Sequence, residues 1–402
     1  MTKSLSGRSA RLPSREQLYS AALMLAIFCF LVDSSTVPYL IGETFSDAAL
    51  KALRYASYAL VIASLFLQPA YPRRTLILIA LVVALAVVNA RVAGKALLLS
   101  LVYVIGAVGL DYRRIARAQF CIMLTLFCLI VFGSLLGVIE NWGFDLTSAR
   151  PRYCLGFFYP SHTTSLFFYL VLLFCFLKGP ELRFWHVLVI AAADLWQYSY
   201  TDSRAGTVLA LLAAIVMFLL RRRPLRGVSA HTLALSFLIC AAVCLALTWL
   251  HRRGAVDLSL LNRLLAGRLD YQRDIFSMHH VGLFGQGMEW VGHGGTGHTQ
   301  LAAGARYNYV DCSYIKLLFD EGILLTAVVL AGFTAAGIRA ARAGDTALLL
   351  ALAFSAAYCA VEQWLVNPGY HPFFVLISAL FLAPDGALKP VRFRRSGGGA
   401  AP

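Results

Sequence analysis

Residues 204–226 read RAGTVLALLAAIVMFLLRRRPLR. After Arg204 the run stays uncharged through Leu220, and then Arg221, Arg222, Arg223 and Arg226 arrive together. A helix rises 1.5 Å per residue, so roughly 17–25 apolar residues cross the hydrocarbon core of a bilayer. Lipid offers backbone groups no hydrogen bonds, so a span must close its own, and nothing here alternates with the period of two that a barrel strand needs. The stretch predicts a transmembrane helix that ends in a basic cluster held on the cytoplasmic side.

The same pair of signals recurs in both directions. Apolar blocks fall at 18–37, 50–69, 74–91, 95–110, 117–138, 160–178, 183–200, 231–250, 314–338, 345–364 and 370–384, the last two interrupted by Asn367, Pro368 and Gly369. With 204–220 they predict an all-α polytopic membrane protein of about twelve transmembrane helices. Basic residues gather in every second connection: Lys3 to Arg15, Arg73–Arg74, Arg113 to Arg117, Lys178 and Arg183, Arg221 to Arg226, Arg339 and Arg342, and Lys389 to Arg395. One topology satisfies them all, with both termini cytoplasmic. The chain then divides into a tail at 1–17, one transmembrane domain at 18–384 and a disordered basic tail at 385–402. The first apolar block lacks a small-residue cleavage motif and runs on to Asp33, so it reads as a retained helix.

Composition agrees. Of 402 residues, 59% are hydrophobic and only 14% charged, against roughly 25% charged in a soluble domain. Mean hydropathy is +0.72. The net charge of +15 invites nucleic acid as a partner, but its confinement to alternate loops makes it a topological signal, and no nucleic-acid binding is expected. Most cysteines lie inside apolar blocks. Cys154 and Cys312 fall near the external loops and could pair in an oxidising compartment. No metal-ligand spacing is present, and no cofactor is expected.

Two external loops are long, about 139–159 and 251–313, and connections beyond roughly 12–15 residues are usually functional or disordered. In the second, Leu260, Leu261, Leu264 and Leu265 make an apolar face beside Arg263 and Arg268, which predicts an amphipathic helix at the membrane surface. A glycine-rich tract with His279, His280, His293 and His298 follows, and reads as a loop tip.

Five constellations in and beside these loops carry chemistry. Arg150 and Arg152, in RPRYCLGFFYPSHTT, stand on the side where arginines are least expected; they either snorkel to headgroups or bind an anion. In YTDSRAGT, Ser203 or Asp202 would cap the helix starting near Arg204, Gly206 would let another backbone approach, and Asp202–Arg204 could be a structural pair. In LLAGRLDYQRDIF, the spacings Asp270–Arg273 and Asp270–Asp274 share one helix face; Arg268, after Gly267 at the apolar boundary, stands apart from that solvated pattern. GLFGQG (282–287) could bare backbone N–H groups to a phosphate. YNYVDCSYIKLLFDEGI (307–323) brings Asp311 and Tyr314 to the mouth of a span. Asp194 and Glu362 are intramembrane carboxylates for which an arginine is the expected partner.

Arginine stays charged and forks onto phosphate oxygens, so these arginines above an apolar bundle suit a phosphate whose lipid tail lies in the membrane. In order, R-Y-x-x-G-F (152–157), T-x-S-R-x-G (201–206), G-R-L (267–269), L-F-G (283–285), D-x-S-Y (311–314) and Gly322-Ile323 resemble the Wzy-type polysaccharide polymerases, within the O-antigen ligase and polymerase superfamily. The likeness covers roughly 145–325. Related ligases carry a histidine before the tyrosine of the D-x-S-Y motif, where this chain has Asp311, which favours a polymerase.

The resemblance implies a metal-independent glycosyltransferase of the bacterial plasma membrane. Its substrates would be undecaprenyl-diphosphate-linked oligosaccharide repeat units, polymerised on the outer face. Arg152, Arg204, Arg268 and Asp311 are expected to be catalytic: the arginines hold the departing diphosphate, and Asp311 orients or deprotonates the acceptor hydroxyl, with Asp270 as the second choice. Arg150, Tyr153, Ser203, Arg263, Asp270, Arg273, Gly285 and Tyr314 are expected to bind substrate. A chain-length regulator is a candidate partner besides the bilayer. The alternatives are a ligase that moves the glycan to another acceptor, and a transporter of the lipid-linked unit.

Overall fold

The structure, a computed structural model, describes residues 14–68, 70–144, 151–292 and 307–382. It is mostly helical. The first helix, α1 (Arg15–Asp33), begins at a capping box: Ser14 accepts from the Gln17 N–H, and the Gln17 side chain accepts from the Ser14 N–H. There follow α2 (Val37–Ile41), α3 (Glu43–Phe66), α4 (Arg73–Ala90), α5 (Ala96–Gly106) and α6 (Tyr112–Leu135). After a two-residue hairpin pair, β1 (Gly143–Phe144) and β2 (Arg152–Tyr153), come α7 (Pro160–Lys178), α8 (Phe184–Thr201) and α9 (Arg204–Leu220). The second half holds α10 (Gly227–Ala234), α11 (Ser236–Arg253), α12 (Ser259–Leu264), α13 (Arg268–Met278), α14 (Ser313–Arg342) and α15 (Thr346–Cys359). A 3₁₀ helix over Pro372–Phe381 ends the described chain.

Among the described residues, seven of these helices are long and apolar enough to cross a membrane: α1, α3, α4, α6, α7, α11 and α14. The bundle wears much of its apolar surface outside. Phe66 is 85% exposed and Leu81 61%; a face of this kind on several helices is what lipid, and not water, covers. The inside is tightly packed around α7, α14, α15 and the 3₁₀ helix, where His371 meets Ser355 at 2.7 Å among the rings of Tyr169, Phe237 and Phe333.

A helical segment falls on each expected apolar block, and four blocks differ in form. Block 231–250 is two helices interrupted at Leu235, where Gly337 of α14 presses so closely that a Cβ there would lie 2.5 Å from the Ala234 carbonyl oxygen. Block 314–338 is broken at Gly322 (φ 77°, ψ 178°). Block 345–364 ends as a helix at Cys359. Block 370–384 is 3₁₀, and its surplus acceptors are met from neighbouring helices: Gln119 donates to the Pro372 oxygen at 3.1 Å and Thr75 to the Phe381 oxygen at 2.7 Å. The expected amphipathic helix of the second loop is also two pieces, α12 and α13, separated by a turn at Ala266 and Gly267.

The basic connections share one end of the bundle. Arg15 donates to the Gly106 and Val108 oxygens, Arg114 pairs with Glu16 at 2.5 Å, Arg113 with Asp345 at 2.9 Å, and Arg339 donates to the Leu382 oxygen. At the opposite end Thr36 bonds Glu140 and Gly156, and Arg152 bonds Thr201. The basic N-terminal leader, the C-terminal tail, Arg150, His293 and His298 lie outside the described residues.

Candidate functional site

The site begins with the turn between α12 and α13. Ala266 (φ 53°) and Gly267 (φ 79°) both take left-handed backbone, which glycine adopts freely and alanine does not. Asn262 holds the turn. Its carbonyl accepts from Gly267 at 2.8 Å, its Oδ1 from the Leu269 N–H at 3.0 Å, and its Nδ2 donates to Asp270 at 2.5 Å. Asp270 also meets His251 of α11 at 2.8 Å, and Thr248 donates to Gln272 at 2.7 Å. The hydrogen bond with His251, helped by Asn262 and Arg273, holds the Asp270 carboxyl below the usual range. α13 is thereby fixed to the end of α11, and its first residue, Arg268, points at two carboxylates.

Arg268 Nη2 lies 3.3 Å from Asp311 Oδ2 and 3.7 Å from Glu362 Oε1. Its buried Nε has no partner among the described residues, and both ion pairs run through Nη2, so two acids aim the guanidinium through one nitrogen and its other terminal nitrogen keeps donors. Asp311 precedes Cys312, the N-cap of α14. Burial pushes the Asp311 carboxyl above the usual range, against the pull of Arg268. Glu362 is locked to the same helix end, since its carbonyl accepts from the Ser313 N–H at 3.2 Å and from the Ser313 hydroxyl. Residues from three distant parts of the chain thus form one charged cluster. Tyr271 and Tyr307 face one another 4.6 Å apart beside it, and Tyr307 feels the charges of Asp311 and Arg268.

Arg152 joins from the other loop. β2 pairs with β1 in the register Phe144↔Arg152, and Arg152 Nε donates to the Thr201 oxygen at 2.9 Å, at the end of α8. Its charge acts on Glu362. Arg204, the first residue of α9, is exposed three residues beyond Thr201 and has no partner among the described residues.

The other expected residues are dispersed. Asp270 and Arg273 pair at 3.1 Å on one helix face, as their spacing indicates, and serve the α13 anchor. Arg263 is exposed on α12. Tyr153 is 39% exposed on β2. Ser203 is buried and stands at the N-cap of α9 without a side-chain capping bond. Tyr314 turns inward and donates to the Ala356 oxygen at 2.7 Å.

The bare turn expected at Gly285 is instead packed: a Cβ on Gly285 would lie 2.1 Å from the Asp320 oxygen, and the Gln286 N–H is spent on that oxygen at 3.3 Å. Residues 282–286 fill the break in α14, where Ile323 and Leu324 donate to the oxygens of Gly282 and Leu283. Asn89 seals the joint with bonds to Phe284 and Glu321.

Of the two carboxylates expected within the membrane, Glu362 has its arginine. Asp194 has Gln197 as hydrogen-bond partner at 2.7 Å. Cys154 and Cys312 are both free and sit in different clusters, Cys154 against Trp142 and Phe144. Two participants escaped the sequence reading. His251 gave no signal beyond lying near the end of an apolar block. Lys316 could have been found from its spacing to Asp320, one helical turn on; the pair closes at 3.2 Å.

No family model, no curated protein and no solved structure matches this chain.

Proposed function

We propose that the chain is a multi-pass bacterial plasma-membrane glycosyltransferase that polymerises undecaprenyl-diphosphate-linked oligosaccharide units on the outer face of the membrane. In this reading the apolar segments make about twelve spans, both termini are cytoplasmic, and the end carrying Arg152 and Arg268 faces outward. The observation that carries it is the placement of Arg268 against Asp311 and Glu362, with Arg152 acting on the same cluster. Arginines aimed in this way, above an apolar bundle and beside the Tyr271–Tyr307 pair, suit a diphosphate with its tail in lipid and its sugars outside.

The donor diphosphate binds Arg152, Arg204 and the free donors of Arg268. A hydroxyl of the acceptor sugar attacks the anomeric carbon, a new C–O bond forms, and the anomeric C–O bond to phosphate breaks. The electron pair leaves with the diphosphate, and the arginines stabilise the charge. Asp311, 35% exposed at its side chain, takes the hydroxyl proton, while buried Glu362 keeps Arg268 in place.

The test is made on purified protein in nanodiscs, given only a synthetic undecaprenyl-diphosphate repeat unit, with products separated as a ladder. A ladder from wild type that Arg268→Ala abolishes in folded protein is the expected result. Folded wild type that makes no ladder from the correct unit overturns the polymerase. Transfer to a different acceptor would then identify a ligase.

A further inference from the structure

A cavity of about 460 Å³ lies between α1, α3, α5, α14 and the segment 363–368. One wall is a face of α3 on which Lys51, Arg54, Tyr55 and Tyr58 follow at helical spacing. The facing wall is α5, with Leu99 and Ser100. Tyr55 is 73% exposed and Leu99 40%, so the cavity opens sideways between two apolar helices. Its inner end is polar: Lys316, Asp320 and Glu321 of α14 reach it, with Gln363 and Asn367.

The charges are unequal in their commitments. Arg54 pairs with Asp33 at 2.7 Å, and Lys316 pairs with Asp320 while lying 4.0 Å from the Trp290 ring centre. Lys51 is exposed and has no partner among the described residues. The cavity also adjoins the charged cluster. Gln363 and Trp364 directly follow Glu362, and the charge of Lys316 acts on Asp311.

We propose that this cavity is a second lipid-phosphate site, which takes the phosphate head of the acceptor polyprenyl lipid beside Lys51, Arg54 and Lys316 while its tail leaves between α3 and α5. The proposal rests on the polymerase reading, because joining two lipid-linked units requires two heads at one end of the bundle. An apolar side opening with one unspent cation, Lys51, at its rim matches an amphiphile arriving through the bilayer, whereas a soluble sugar would have no use for it. Gln363, which lines the cavity and directly follows Glu362 in the chain, sets the acceptor next to the donor arginines.

The full chain in nanodiscs is irradiated with a diazirine-bearing undecaprenyl phosphate, and labelled peptides are identified by mass spectrometry. Label is expected on peptides containing residues 51–58 and 96–103. It should fall about tenfold in Lys51→Glu, as expected when one charge beside a phosphate is reversed, and persist in Arg268→Ala. Ser100→Trp, which fills the α5 wall, should also remove it. Label that ignores Lys51→Glu, an exposed substitution without structural partners, overturns the site. So does equal displacement by phosphatidylglycerol, which would make it an ordinary phospholipid niche. The two readings fail separately: a ladder without this label leaves the polymerase standing, and label without a ladder from wild type leaves the lipid site standing.

Discussion

Arg268 Nη2 stands 3.3 Å from Asp311 Oδ2, joining the first residue of α13 to the residue before the N-cap of α14. The contact joins residues 43 positions apart across the second loop (311 − 268), and under the proposed function Asp311 both aims the arginine and acts as a base. Removing either partner leaves the other, half-buried, with fewer compensations. Arg268→Ala is expected to lower the polymerisation rate about 10²–10³-fold, the range for losing one charge-stabilising donor. Asp311→Asn keeps the shape and removes the base, so it should cost as much in rate while leaving lipid-phosphate binding near wild type. Initial rates and binding measured on folded, reconstituted protein decide the point.

The acid limb of the rate profile follows from the same contact. Burial raises the Asp311 carboxyl above the ordinary aspartate value, about 3.9. Its proton is therefore lost at a higher pH than usual. Activity should be absent below that point and rise as pH increases through it, whereas the fold is favoured on the protonated side. Arg268 pulls the value down, so the residual activity of Arg268→Gln should have its limb at higher pH still. A wild-type limb at or below pH 4 would remove Asp311 as the base.

Gly285 and Gly322 meet backbone to backbone. A Cβ on Gly322 would lie 2.1 Å from the Gly285 nitrogen, and both residues have positive φ. Alanine at either position adds strain of about 1–3 kcal/mol before any clash is counted. Both variants should melt at clearly lower temperature in detergent, as read by a thermal shift. An unchanged melt would mean that the loop does not fill the break.

Close approach of α7 and α9 rests on Gly206, where a Cβ would fall 2.3 Å from the Thr164 methyl carbon. Gly206→Ala should destabilise the protein, and Thr164→Ser, which deletes that methyl, should recover part of the loss in the double variant. Additive losses in the four-way comparison would refute the contact.

The helices most legible in the sequence are those whose ends carry their own punctuation. Block 160–178 starts at Pro160, block 204–220 stops at Arg221, and the helices keep those limits. The break at Gly322 was not legible, because a glycine in an apolar run is tolerated as helix; the loop packed against it comes from outside the window. For the site, Arg268 and Asp311 could be read because charges outside a span entrance need a use, and Gly206 because of its place beside an arginine at a helix start. The role of Glu362 required the fold, since its partner lies far away in sequence. Gly285 misled for the opposite reason: a glycine turn that can cradle an anion looks the same as one that lets another backbone in.

The break in α14 also has a consequence for the order of assembly. Residues 282–286 are synthesised before the helix they complete, and without them the amides of Ile323 and Leu324 would lose their acceptors. The segment of α14 that follows Gly322 cannot settle by itself. It must wait for a piece of loop made earlier, so this chain carries its own chaperone for that helix.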